Sequence, residues 1–360
     1  MRSHYFIAPE FFQLVGDMRK AYDDHFYENH RSFSPEKRIW DYMHKPGQYT
    51  YLKTIPERVI PLQLMNLFLT MLQNWSFEVL GTKNISRPVL ALYFNAFNES
   101  LHYNTGSQGW TYEFSLTPCA NRRFGGGDLM IWKEVDYWES DNMTLATGGT
   151  AFFDAITPVY NQLVVFDDRV KHAISTLEGQ MEPENGRLVL QGYIPYGNIY
   201  CNGYLNEDQV QAVLAEALPH LAQNLTQFGH AYHGPLCLKM GVSAQGEVEQ
   251  MKVVNDRILR TAEESLRPDF LTQAILVFCQ SLKFPKALNG TVVTLTLLIN
   301  MGDGSQVTHV KLLEGKPSKF LEEALLNQSS RPESKPEPAK EAAAGWVRPR
   351  PAKAPVKQSV

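Results

Sequence analysis

Three residues in this 360-residue chain have the types and spacing to do chemistry together. His102 closes the run NAFNESLH, just before a Gly-containing turn into the strand-like GWTYEFSL. His172 follows the apolar run LVVFDDRVK, and Arg187 opens RLVLQGYI. Neutral imidazoles are good ligands for Fe(II). Two of them with a carboxylate on one face leave positions open for a bidentate co-substrate and dioxygen. An arginine at the floor of a barrel offers a planar fork to a distal carboxylate. Two histidines and an arginine on strands or strand ends of one β core therefore make the recipe for a non-haem iron site. Each histidine alone is more simply a hydrogen-bonded strand residue; their order together favours ligation.

The elements that must position these residues are legible in the texture of the sequence. Residues 1–80 read mostly helical, and VIPLQLMNLFLTMLQNWSFEVLG has apolar residues at helical spacing up to a stop at Gly81. From about 88 to 200 the runs are short, rich in β-branched and aromatic residues, and bounded by Gly, Pro, Asn or Asp: PVLALYFNAF, GWTYEFSLTP, GGGDLMIWKE, YNQLVVFDD, GRLVLQGYIPY. That is strand after strand, as in a β-sandwich or barrel. The GGG at 125–127 reads as a tight turn, since no helix with a following Lys-Ser/Thr accompanies it to cradle a phosphate.

In this region the chain resembles the Fe(II)/2-oxoglutarate dioxygenases, in their prolyl-hydroxylase-like branch. The matching pieces are HYN (102–104), WTYEFSL (110–116), GGGDLMIW (125–132), LVVFDDRVKH (163–172) and RLVLQGY (187–193). The resemblance implies a double-stranded β-helix (jelly roll) with an N-terminal helical buttress. It implies Fe(II) held by His102 and His172, and 2-oxoglutarate held at its distal carboxylate by Arg187. Tyr93 or Tyr112 would add a hydroxyl to that co-substrate, and ascorbate is a further candidate cofactor. Asp167, Asp168 and Arg169 read as structural.

One position departs from the family pattern. Asn104 stands where the family has the iron carboxylate. It is carried as a metal candidate because an amide oxygen can bind a metal, but it is neutral and a weaker donor. Three expectations stay open: an active enzyme in which Glu113 or Asp128 compensates; an iron position left for a halide, as in halogenating relatives; or a non-catalytic binding fold.

Beyond 200 the texture changes again. NEDQVQAVLAEALPHLAQNLTQFG is helical, with Asn206 as its cap. A β-β-α-β unit follows over about 235–302. It resembles the C-terminal domain of TonB-type energy transducers in Gly246-Glu247-Val248, Phe284-Pro285 and TVVTLTLLIN, which implies a partner-binding rather than chemical role. From 327 the chain is rich in Pro, Lys, Glu and Ala with one aromatic, Trp346, too poor in apolar surface to offset its ordering entropy.

The expected fold class is α+β: a jelly-roll oxygenase-like domain over 1–205, a helical connector over 206–233, a small β-β-α-β module over 234–326 and a disordered tail over 327–360. The expected activity is hydroxylation of a small-molecule or peptidyl substrate, with a protein partner on the C-terminal module. A net charge of −4 gives no sign of a nucleic-acid partner. The four cysteines form no CxxC, which fits a reduced, cytoplasmic setting. No stretch reads as a signal peptide or transmembrane segment.

Overall fold

The computed structural model describes residues 5–29, 40–102, 109–118, 122–132, 153–179, 182, 185–228, 232–260, 268–301 and 308–312. Asn104 and the tail from 327 lie outside them. The first part of the chain forms β1 (Tyr5–Ala8), α1 (Val15–Asn29), β2 (Asp41–Lys45), β3 (Tyr49–Thr54), α2 (Leu62–Leu80), β4 (Val89–Tyr93), β5 (Asn98–His102) and β6 (Gly109–Ser115). There follow β7 (Phe124–Gly125), β8 (Leu129–Trp132), β9 (Phe153–Ile156), β10 (Leu163–Asp167), β11 (His172–Ile174), β12 (Glu178–Gly179) and β13 (Arg187–Pro195). Among the described residues, eleven of these strands join one antiparallel sheet in the order β1-β10-β6-β13-β4-β3-β5-β11-β8-β9, with β2 on β3. The sheet curls into a half-barrel.

Period-two alternation divides its two faces. On the outer face, Trp110, Tyr112 and Phe114 of β6 join Leu188 and Leu190 of β13 and Leu90 and Leu92 of β4. They pack against Met18 and Tyr22 of α1 and Met65, Phe68 and Leu72 of α2. The intervening residues Ala91, Tyr93, Val164, Phe166 and Val189 line the inner face. Both faces are covered, so β6 is buried at every position.

The second part forms β14 (Tyr200–Gly203), α3 (Glu207–Leu225), β15 (Tyr232–Val242), β16 (Val248–Asp256), β17 (Leu259–Arg260), α4 (Pro268–Gln280), β18 (Thr291–Met301) and β19 (Thr308–Leu312). The sheet runs β14-β18-β15-β16, with β17 on β15 and β19 on β18. Asn206 does cap α3: its side chain accepts from the Gln209 N–H at 2.9 Å, and the Gln209 side chain accepts from the Asn206 N–H at 3.0 Å. The stretch read as a connector over 206–233 holds α3, whose Val210, Leu214, Leu218, Leu221 and Leu225 share a buried core with Leu271 and Ile275 of α4. Strand β14, placed with the first domain from sequence, pairs with β18.

The two sheets meet at a defined junction. The Arg257 guanidinium lies over the rings of Phe6 and Trp110, 5.1 and 4.8 Å from their centroids. Arg169 forks onto Asp167 (2.9 and 2.6 Å) and donates to the backbone carbonyl of Arg257 at 3.0 Å. Gly81 ends α2 at φ 76°, and a Cβ there would sit 2.1 Å from Cys237 Sγ on β15. Both the positive φ and the close approach require glycine. Gly81→Ala is therefore expected to lower the unfolding free energy by more than about 1 kcal/mol, read as a fall in the urea midpoint.

Burial pushes the Asp167 carboxyl up, but hydrogen bonds and charge from Arg169, with the charge of Arg257, outweigh it and hold the group below its ordinary value. Its ionised form stabilises the fold above the unfolded aspartate pKa of about 3.9. That contribution is lost as pH falls through the lower folded value. Stability is expected to drop with acid below about pH 4, and Asp167→Asn to flatten that part of the profile; unfolding free energies measured from about pH 3 to 6 test both.

Candidate metal and oxo-acid site

His102 and His172 are direct cross-strand partners in the β5–β11 ladder, and their ring centroids are 4.4 Å apart. Residues directly opposite on an antiparallel pair share a face, so the sheet register brings the two imidazoles together. The Nδ1 of His102 lies 2.8 Å from the Ser100 carbonyl oxygen, and that of His172 lies 3.0 Å from the Val170 carbonyl oxygen. A carbonyl only accepts, so each Nδ1 carries the proton and each Nε2 keeps its lone pair. That tautomer, fixed by a backbone carbonyl two residues back, is what a metal-ligating histidine needs. Burial pushes His172 down to about 4, with the charge of His102 adding to the fall; it is neutral near pH 7. His102 is exposed while His172 is buried, so the pair spans the rim of the inner face.

A β-bulge lies in the same ladder: His172 faces His102 but Ile174 faces Glu99, with a register shift between. On a regular strand, residues three apart point to opposite faces; the extra residue lets Glu99 share the face of His102. Glu99 is buried and accepts a hydrogen bond from the Tyr93 hydroxyl at 2.5 Å. Burial raises its carboxyl, a rise opposed by that hydrogen bond and by the charges of His102 and Arg187. Sequence reasoning missed Glu99, because no sequence pattern marks this bulge.

Arg187 is buried at the base of the inner face, 1 % exposed. Its Nε donates to the Gly127 carbonyl at 2.8 Å and its Nη2 to Glu113 Oε2 at 2.6 Å. Its guanidinium stands 5.1 Å from the Tyr93 ring centroid, and Nη1 is buried without a hydrogen-bond partner among the described residues. The Gly-rich turn thus seats the arginine: a Cβ on Gly126 (φ 69°) would meet the Thr176 carbonyl oxygen at 2.0 Å, which commits the turn to glycine and presents the Gly127 carbonyl to Arg187.

Of the expected site residues, His102, His172, Tyr93 and Arg187 gather around the inner face, and Tyr112 does not. Its ring belongs to the outer core, and its hydroxyl donates to the Ser86 carbonyl at 3.0 Å. Odd and even positions of β6 face opposite ways, so Glu113 reaches Arg187 and Tyr112 cannot. Neither carboxylate expected to compensate for Asn104 stands with the histidines: Glu113 pairs with Arg187, and Asp128 is 3.9 Å from Arg122. Among the described residues no cluster of three His, Cys, Asp or Glu side chains could hold a metal.

The residues present thus fit a metal in part. Two imidazoles with free Nε2 atoms suit Fe(II), whereas the fork expected for 2-oxoglutarate is engaged by Glu113, leaving Nη1 alone. No protein-family model matches this chain, and no curated protein does. Solved structures similar to it include a prolyl hydroxylase in complex with a hypoxia-inducible-factor oxygen degradation domain peptide fragment from Trichoplax adhaerens (11% identity, 53% of this chain and 84% of that one, TM-score 0.37). Others are a Pseudomonas putida prolyl-4-hydroxylase (13%, 54% and 92%, 0.34) and the non-heme alpha-ketoglutarate-dependent epimerase SnoN from nogalamycin biosynthesis (10%, 54% and 77%, 0.38). At these scores the likenesses say nothing of what this chain acts on.

Proposed function

We propose that this chain is an iron-dependent oxygenase that uses a 2-oxo acid as co-substrate, with His102 and His172 as metal ligands. The observation that carries it is the cross-strand pairing of the two imidazoles, each with Nδ1 tied to a backbone carbonyl, which leaves the lone pair on Nε2. Iron bound there would couple cleavage of the 2-oxo acid by dioxygen, to a carboxylic acid and carbon dioxide, with insertion of the second oxygen atom into a substrate C–H bond. The chain's own share is positional. The Ser100 and Val170 carbonyls hold the imidazole tautomers, Phe166 packs its ring 4.7 Å from that of His172, and Arg187 sets the electrostatics of the floor. The charge of His102 opposes the rise that burial imposes on the Glu99 carboxyl, which supports the reading that Glu99 stands within electrostatic reach of the histidine pair. Substrate hydroxylation is the outcome this arrangement favours, on a small molecule or peptidyl group.

The C-terminal sheet is proposed as a brace for the oxygenase unit, supported by the hydrogen bond from Arg169, in the turn that leads into β11, to the Arg257 carbonyl and by the Arg257 guanidinium over Phe6 and Trp110. Exposed Phe270 and Val277 on α4 favour a second role as the partner-binding face expected from the TonB-type resemblance. Among the described residues no helix is long and apolar enough to cross a membrane.

Anaerobic titration with Co(II), an optical stand-in for Fe(II), tests the metal site. One equivalent is expected to bind with ligand-field bands in the visible. A folded protein that binds no Co(II) or Fe(II) would rule the oxygenase reading out and leave a binding fold.

A further inference from the structure

We infer that Glu113 makes this site select a 2-oxo acid with a short, uncharged tail and reject the dicarboxylate 2-oxoglutarate. The inference rests on the oxygenase reading above and deepens it. Arg187 is the buried cation at the floor, and its charge is already matched. Glu113, itself buried, takes Nη2 at 2.6 Å, and the Gly127 carbonyl takes Nε. A second carboxylate brought to this floor would have to displace Glu113 or lie beside it. Either course leaves two buried anions on one guanidinium, and like charges in a desolvated pocket repel strongly. The resident carboxylate therefore acts as a repulsive element against an anionic tail.

The surroundings favour an apolar tail. A small cavity, with room for about one water, opens beside the Arg187–Glu113 pair, and much of its wall is Leu129, Ile156, Val164 and Val189. The terminal methyl of a short 2-oxo acid matches that volume and chemistry; the terminal carboxylate of 2-oxoglutarate matches neither. The Nη1 of Arg187, buried and unpartnered, remains for one neutral acceptor. Gln162, Ser115 and Thr157 are the neutral polar neighbours in the wall, and the first two already accept from the Val159 and Thr117 N–H groups at 3.3 Å each. They add no cation to hold an anion.

The test is calorimetric and needs no turnover. Full-length protein loaded with Mn(II), which does not run the oxidation, is titrated without oxygen against 2-oxobutyrate and 2-oxoglutarate. Wild type is expected to bind 2-oxobutyrate at least about tenfold more tightly. Glu113→Gln keeps the shape and removes the charge; it is expected to shift the ratio about tenfold or more toward 2-oxoglutarate. A wild-type preference for 2-oxoglutarate would overturn the inference without help from the variant, so a misfolded variant does not rescue it. An unchanged ratio in folded Glu113→Gln would overturn it as well. Mn(II) bound with neither acid binding would overturn it while the metal site stands. Failure of Mn(II) itself to bind, read by electron paramagnetic resonance, would take the oxygenase reading down and the inference with it.

Discussion

Arg187→Ala should cost about 3–5 kcal/mol of unfolding free energy, the range for breaking a buried ion pair from one side. The guanidinium and the Glu113 carboxylate are 1% and 6% exposed. Removing the cation strands an anion on the inner face of the sheet, with the Gly127 carbonyl losing its donor as well. The companion double variant, Arg187→Leu with Glu113→Leu, should recover most of the loss, because replacing both charges with apolar groups of similar bulk is often neutral or stabilising. Urea midpoints for Arg187→Leu, Glu113→Leu and the double, closed as a cycle with the wild type, give the coupling directly. A loss below about 1 kcal/mol for Arg187→Ala would mean that water reaches Glu113 and that the pocket floor is not the dry, charge-matched surface described above.

The second large effect concerns the histidines, and it splits by burial. Each of His102→Ala and His172→Ala removes one of two imidazoles and should weaken Co(II) binding by roughly a hundredfold or more, about 2.7 kcal/mol. Their stability effects should differ. His102 is exposed and its loss should change the unfolding free energy by no more than about 0.5 kcal/mol. His172 is 3% exposed and packed on Phe166, so its truncation should cost about 1–3 kcal/mol. Metal affinity and denaturation measured on the same samples separate the two. If His102→Ala left Co(II) binding intact, the exposed ring would be a bystander and the metal would have to be held elsewhere.

The chemistry-bearing residues were legible because their types are. Two histidines and an arginine on strand-like runs stood out against a background of apolar alternation. Gly81 as a helix stop and Asn206 as a cap were legible for the same reason, since both act on the backbone within a few residues. The β-β-α-β order of β15, β16, α4 and β18 also followed from local periodicity.

The side chain each site residue meets was not legible. Strand β6 is buried on both faces, so its alternation does not tell the barrel side from the helix side. Tyr93 and Tyr112 stand as equal candidates in the sequence for want of that distinction; in the structure Tyr112 bonds to the Ser86 carbonyl, and Glu113 is the β6 side chain that reaches Arg187. That carboxylate is 74 residues from Arg187 along the chain, and only the β6–β13 register brings the two together. The same holds for Glu99, which shares the face of His102 because a bulge adds a residue to β5, and for α3, whose local pattern named its type but not the core it joins. By itself the sequence determined α2, α3 and the strand-rich stretch from β4 to β13, but not β1, β2 and β3 in the stretch read as mostly helical, and it showed which groups are of a type that binds metals, because propensity, capping and side-chain chemistry are local. Tertiary structure alone decided which face each residue occupies and which charge sits opposite Arg187, because long-range strand register sets both.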